Sequence, residues 1–318
     1  MSDHDAAANR LEGGIYGLLI GDALGVPYEF KPSHEIPQED LIEMEPPQGY
    51  RRSHGLVPSG TYSDDGAQAL CLLSSLLACG QLDLADFAQR LLRWFEHGWL
   101  AVDAKVFDVG RQTGRALRLI RGGTKPELAG GRDEHSNGNG SLMRVLPLAL
   151  WHQGTDDELV RDAHRSSLPT HAHPRAQTCC ALYCLWARHV LIDDPAPYEA
   201  AVETLRSVYR ALPEYQDQSH ELLHHVLPPA PVTGSGYVVD SLRSALKVNE
   251  AMSYESVVRR AIRLGDDTDT TAAIAGGIAG LRVGLHGIPL RWRAALRGDA
   301  TVRPLVDALV SRSVSPRG

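Results

Sequence analysis

Apolar residues recur at helical spacing along almost the whole chain. Leu70, Leu73 and Leu77 fall three and four residues apart, and Val257, Ala261 and Leu264 repeat that spacing near the other end. Alternating apolar and polar runs bounded by turn residues, the mark of strands, are hard to find. The pattern predicts an all-α fold. Gly and Pro clusters at residues 46–49, 122–123, 130–131, 193–197 and 227–236 punctuate the helices. None is long enough to act as an interdomain linker and no solenoid-length repeat is visible, so one domain over residues 1–318 is expected.

Two helices are unusually rich in small residues. Gly13, Gly17 and Gly21 share one face at four-residue spacing, and Gly276 and Gly280 do the same near the other end. Glycine inside a helix costs up to about 1 kcal/mol relative to alanine, so several in one helix predict close backbone packing at a buried centre. A membrane dimer motif is the competing reading, which the short soluble context disfavours.

Composition narrows the class. The 318 residues are 43% hydrophobic and 22% charged, enough for a sizeable core. The formal charge is -7, and Lys and Arg are dispersed, so no basic face is evident for binding a phosphate backbone. Cys71, Cys79, Cys179, Cys180 and Cys184 sit in apolar runs without ligand-type spacing and read as reduced core residues. The opening MSDHDAAANR is not a charged-then-apolar leader, and the longest apolar stretch, near residues 15–23, is too short to span a bilayer. Cytoplasmic residence without a membrane partner is the resulting expectation.

Carboxylates crowd two predicted helix starts. Ser63-Asp64-Asp65 precedes an apolar run over 67–77, and Asp266-Asp267-Thr268-Asp269-Thr270-Thr271 precedes one over 272–285. Simple capping explains one or two oxygens, at about 1 kcal/mol per cap. The second cluster offers three carboxylates and three hydroxyls in six residues, more anionic oxygen than a cap uses. If the clusters met, the carboxylates would repel one another, and protonation or a bound cation would have to neutralise them. Hard oxygen donors without His or Cys favour Mg²⁺ or Mn²⁺. Spacing alone does not show that the clusters meet.

Five motifs in fixed order resemble the ADP-ribosylglycohydrolase family, which includes the dinitrogenase reductase-activating glycohydrolases. They are Gly21-Asp22-Ala23-Leu24-Gly25 followed by Glu29; Ser63-Asp64-Asp65; Gly138-Asn139-Gly140-Ser141-Leu142-Met143-Arg144; Thr170-His171; and Asp267-Thr268-Asp269-Thr270. Together they run from about residue 11 to about residue 290. The resemblance implies a compact orthogonal helical bundle and a hydrolase that cleaves the bond between ADP-ribose and an acceptor, using two Mg²⁺ with Mn²⁺ as the alternative. It makes Ser63, Asp64, Asp65, Asp267, Asp269 and Thr270 the metal-binding set and Glu29 the catalytic residue.

Further roles follow from the same resemblance. Ser136, Asn137, Gly138, Asn139 and Gly140 match the diphosphate loop, ahead of a helix expected to hold Met143 and Leu146. His171 borders the ADP-ribose, Tyr237 stacks on adenine, and Asp108, in the looser match Phe107-Asp108-Val109-Gly110, lies near the scissile bond. Expected partners are ADP-ribose and an ADP-ribosylated protein or small molecule, with arginine favoured as acceptor and nucleic acid entering only as an ADP-ribosylated acceptor. Three departures stand out: serine at 63 and glycine at 66 where threonine is common, and aspartate at 266 where glycine is frequent.

Two other readings compete. A non-catalytic ADP-ribose-binding or structural protein would keep the fold without the chemistry. His220-Glu221-Leu222-Leu223-His224 spells the HExxH pattern of zinc peptidases, which chance explains better in a chain with 14 histidines.

Overall fold

A computed structural model describes residues 3–314. Its helices, in chain order, begin with α1 (Asp3–Gly25), α2 (Asp64–Cys79), α3 (Leu84–His97), α4 (Arg111–Arg121) and α5 (Pro126–Ala129). The middle of the chain forms α6 (Leu146–Trp151), α7 (Asp156–Ser167), α8 (Pro174–Leu191), α9 (Pro197–Ala211) and α10 (Gln216–Glu221). The last five are α11 (Val238–Val248), α12 (Tyr254–Arg263), α13 (Thr268–Val283), α14 (Leu290–Ala295) and α15 (Asp299–Val314). Among the described residues the only β-type pairing is three isolated bridges. The all-α expectation holds.

Local chemistry sets the helix ends. Ser63 caps α2 by accepting the Asp65 N–H, and Gly80, at φ 67°, closes that helix in the left-handed conformation. Thr155 and Glu158 form a reciprocal capping box at the start of α7. The acidic cluster at residues 266–271 does not wholly precede its helix. Asp267 is the N-cap, and Asp269 and Thr270 already lie in the first turn of α13.

Helices α1 and α13 form the buried axis, running antiparallel. A Cβ at Gly17 would overlap the Gly276 carbonyl oxygen, one at Gly21 the Ala272 oxygen, and one at Gly280 the Gly13 oxygen. Every residue of α13 from Thr268 to Leu281 is buried, which is why its sequence lacks a polar face. Tyr254 donates to the Gly17 carbonyl (2.7 Å) and Tyr183 to that of Ile274 (2.8 Å), locking neighbouring helices onto the pair. At one end of the axis Thr268 Oγ1 donates to the Gly25 carbonyl (2.8 Å), setting the end of α1 against the start of α13.

Cys71, Cys179, Cys180 and Cys184 are buried, Cys79 is partly exposed, and all five are free thiols. Among the described residues no helix is long and apolar enough to cross a membrane.

The glycine contacts yield a stability prediction. Gly280→Ala, although better for helix propensity, forces a Cβ into the Gly13 backbone and should cost about 1–3 kcal/mol by overpacking. Urea denaturation measures it, and unchanged stability would mean that the two helices are not in backbone contact.

Candidate active site and metal centre

The paired ends of α1 and α13 carry the chemistry. Asp22, fully buried on α1, accepts the Ser63 N–H (2.8 Å) and the Gly66 N–H (2.8 Å), which pins the start of α2 to α1. Gly66 has little room for a larger residue, since a Cβ there would lie 2.6 Å from Leu19 Cδ2. Thr270 Oγ1 on α13 donates to the Asp65 carboxylate on α2, 3.2 Å from either oxygen. The two acidic clusters therefore meet, although 205 residues separate that pair.

Two groups of three carboxylates form where they meet. Asp22, Asp65 and Asp269 each bring an oxygen within 4.8 Å of the others, and so do Glu29, Asp267 and Asp269. Asp269 belongs to both. Its Oδ1 accepts the Thr270 N–H (2.8 Å), while its Oδ2 is buried without a hydrogen-bond partner. An orphaned buried carboxylate oxygen, shared between two all-oxygen groups, fits a pair of hard divalent cations. Asn139 steadies Asp267 from the far wall, donating to its carboxylate (2.7 Å) and to Ser241 (2.9 Å).

Burial dominates the electrostatics. It pushes Asp22 up to about 7 and Glu29 up to about 11, the latter also through the charges of Asp108, Asp267 and Asp64. Asp64, Asp65 and Asp269 are driven well above the usual carboxylate range by burial and then by neighbouring carboxylates, first Asp108 for Asp64, Asp22 for Asp65 and Glu29 for Asp269. Asp108 and Asp267 are raised as well, chiefly by burial. Positive charge reaches the cluster through a relay. The buried Arg144 donates to Gln68 Oε1 (2.7 Å) and Thr170 Oγ1 (2.7 Å), and Gln68 donates to Asp64 (2.7 Å). One guanidinium does not balance this many carboxylates.

Above the acids opens a cleft of about 700 Å³, lined by Glu29, Asp64, Asp108, Gly138, Asn139, Gly140, His171, Asp267 and Thr270 among others. Ser63, Asp65 and Asp269 lie buried outside that lining. Gly140 has to be small, because a Cβ would lie 2.7 Å from His171 Cε1. Burial lowers His171 to about 3, leaving a neutral ring whose Nδ1 is 2.8 Å from Thr170 Oγ1.

The other expected contacts spread outward. Ser136 bonds Asp133 (2.9 Å), Asn137 donates to the Glu134 carbonyl (3.0 Å), and neither lines the cleft. Tyr237, 38% exposed, stands beside the lining residue Gly236, and its hydroxyl accepts from Arg175 (3.1 Å). Gly138 bridges to Tyr237, so the glycine loop and the tyrosine segment move as one piece. Met143 sits in the turn before α6, not in the helix as expected, and α6 itself is six residues long.

Sequence reasoning missed two residues. Asp22 lay inside the first motif but received no role, although a carboxylate amid the glycine stripe of a buried helix is itself a signal. His54 had no signal at all. It sits in a loop at φ 49°, and its Nε2 lies 2.6 Å from Glu29 Oε2 and 3.9 Å from Asp108 Oδ1. The HExxH segment does not form the required α-helix. It passes from α10 into a π-helical turn over Leu222–Val226, which brings His225, not His224, into a group with His220 and Glu221. Glu221 is already bound to Arg175 (2.7 Å), so it is not a free base.

The fold is an all-α bundle in which two buried carboxylate groups sharing Asp269 lie below a cleft of about 700 Å³. The ADP-ribosylglycohydrolase family profile matches residues 3–317, and the chain belongs to that enzyme family. ADP-ribosylarginine hydrolase Tri1 of Pseudomonas putida (strain GB-1) is 30% identical over 317 residues, covering 97% of this chain and 80% of the relative. ADP-ribosyl-[dinitrogen reductase] glycohydrolase of Rhodospirillum rubrum is 29% identical, covering 95% and 96%. A solved structure titled ADP-ribosylglycohydrolase-related protein complex superposes with a TM-score of 0.74 at 31% identity, covering 98% of this chain and 100% of that one.

The raised carboxyl groups predict a pH dependence. A carboxyl whose pKa is higher folded than unfolded stabilises the fold fully only below its ordinary value, 3.8 for Asp22, and loses that contribution as pH rises through the folded value, about 7. Metal-free protein should therefore melt at a lower temperature at about pH 8 than at about pH 5. Added Mg²⁺ should restore more of the loss at the higher pH, as read by scanning calorimetry. A metal-free melting temperature that climbs over this interval would remove the electrostatic account.

Proposed function

We propose that this protein is a single-domain, metal-dependent ADP-ribosylhydrolase that cleaves the glycosidic bond between ADP-ribose and a protein or small-molecule acceptor in the cytoplasm. The observation carrying this reading is the shared carboxylate Asp269, which joins the Asp22–Asp65 group to the Glu29–Asp267 group beneath the cleft. The names of the Pseudomonas putida and Rhodospirillum rubrum relatives support the substrate kind, and the former favours arginine as the acceptor.

Ser63, Asp64, Asp65, Asp267, Asp269 and Thr270 are the residues that would hold two Mg²⁺, or Mn²⁺, with Asp22 as an added oxygen donor. When bound, the ions supply the positive charge that engages ribose hydroxyls and offsets carboxylate repulsion. Glu29 shares a proton between its Oε2 and His54 Nε2, 2.6 Å apart. From there it protonates the leaving acceptor or takes a proton from the attacking water, as cleavage through an oxocarbenium-like state requires. Asp108 adds negative charge beside the developing positive charge on the ribose. Gly138 and Gly140 let the diphosphate approach the backbone, His171 borders it as a neutral ring, and Tyr237 offers a face for adenine. Binding energy from these remote groups orients the scissile bond.

Two outcomes test this. Glu29→Gln should lower kcat by about two to four orders of magnitude while leaving ADP-ribose bound, and an unchanged rate would eliminate its proton role. Incubating ADP-ribosylarginine protein with the enzyme and Mg²⁺ should release free ADP-ribose, with EDTA suppressing the release. Binding without release would instead favour the non-catalytic reading.

A further inference from the structure

Two cleft-lining side chains stand next in sequence to Glu29 and Asp267 and have been given no role so far. Phe30 is 66% exposed, so its ring face is open to the cleft that it lines. Its neighbour on the same lip, Asp266, is exposed, and both line the cleft. Each sits in the left-handed backbone region, at φ 59° and 55°, which aspartate enters readily but a bulky residue such as Phe30 enters only when its surroundings hold it there. The hold is visible: the Phe30 N–H donates to the Asp266 carbonyl (2.7 Å) and the Asp266 N–H to the Lys31 carbonyl (2.7 Å).

The aromatic surface continues inward to the reacting carboxylate. The rings of Phe30 and His54 lie 5.5 Å apart, those of His54 and Phe107 5.2 Å, and His54 contacts Glu29. Asp108 flanks the same row. On the hydrolase reading, the acceptor leaves from the bond that Glu29 faces, which is where this row begins. Arg111, the cleft's lining arginine, begins α4 next to Gln112, whose amide reaches Ser136 and Thr170 on the phosphate-loop side. An aromatic face beside an acidic oxygen suits a planar delocalised cation, which stacks on the ring and pairs with the carboxylate.

We propose that Phe30 and Asp266 form the acceptor subsite and select a guanidinium, so that they determine preference for ADP-ribosylated arginine over neutral acceptors. This rests on the hydrolase reading above and names the residues that give it specificity. The aspartate that replaces the frequent glycine at 266 becomes the specificity element of this chain.

The test uses full-length enzyme with Mg²⁺ and two peptides, one ADP-ribosylated on arginine and one on serine. Phe30→Asn and Asp266→Asn are suitable because asparagine tolerates the left-handed conformation. Wild type should prefer the arginine linkage in kcat/KM. Each variant should lower the arginine-to-serine ratio about tenfold, with the Kd for free ADP-ribose held at its wild-type value. No arginine preference in the wild type, an unchanged ratio, or a loss of ADP-ribose affinity would each overturn the proposal. A second measurement is calorimetric binding of the arginine-linked peptide to Glu29→Gln protein. It should bind more tightly than free ADP-ribose, and adding Phe30→Asn should remove the gain. Should wild type cleave neither linkage, the hydrolase reading fails, and this binding difference alone then upholds or overturns the subsite.

Discussion

Backbone contact between α1 and α13 is the constraint on which the site depends. Glycines at 13, 17, 21 and 280 let the two helices touch without side chains between them. That approach brings Asp22 and Asp269, from opposite ends of the chain, into one group. A wider helix pair would separate the carboxylates and dissolve the site. The conformational cost of so many helical glycines is offset by a buried interface that nothing larger could form.

The same closeness creates an electrostatic problem. Buried carboxylates raise one another's pKa values, and Arg144 reaches them through Gln68 alone. In a metal-free state the cluster is a destabilising element inside an otherwise apolar core. A cation that bound the folded arrangement would stabilise it by mass action. Asp269 Oδ2, buried without a hydrogen-bond partner, is the oxygen that such a cation would satisfy.

Around this rigid floor the cleft divides into regions of different chemistry. The glycine loop and Tyr237 are tied by backbone bonds between Asn139 and Gly236 and between Val238 and Asn137, so that side of the cleft is preorganised. The opposite lip is built from Phe30, His54, Phe107 and Asp266, which belong to loops rather than helices. Loops on a rigid scaffold are where specificity changes most readily, and this lip is the part of the cleft assembled that way.

Helix content, the glycine stripes and the two acidic helix starts were legible in the sequence because each follows from local spacing. The order of motifs also identified Glu29 and the cluster residues, and the structure places them together. Asp22 went without a role because its meaning lies in the Ser63 and Gly66 N–H groups it accepts, which sit on another helix. His54 and the clasp between Phe30 and Asp266 left no local trace, since loop side chains acquire partners only when the chain closes. The zinc-type string around Glu221 shows the converse. There the local pattern falls on a π-turn rather than a continuous α-helix, and its glutamate is engaged by Arg175. Short-range periodicity determined the elements, whereas long-range packing decided which charges share one low-dielectric space, because such proximity is a property of the folded chain and not of spacing along it.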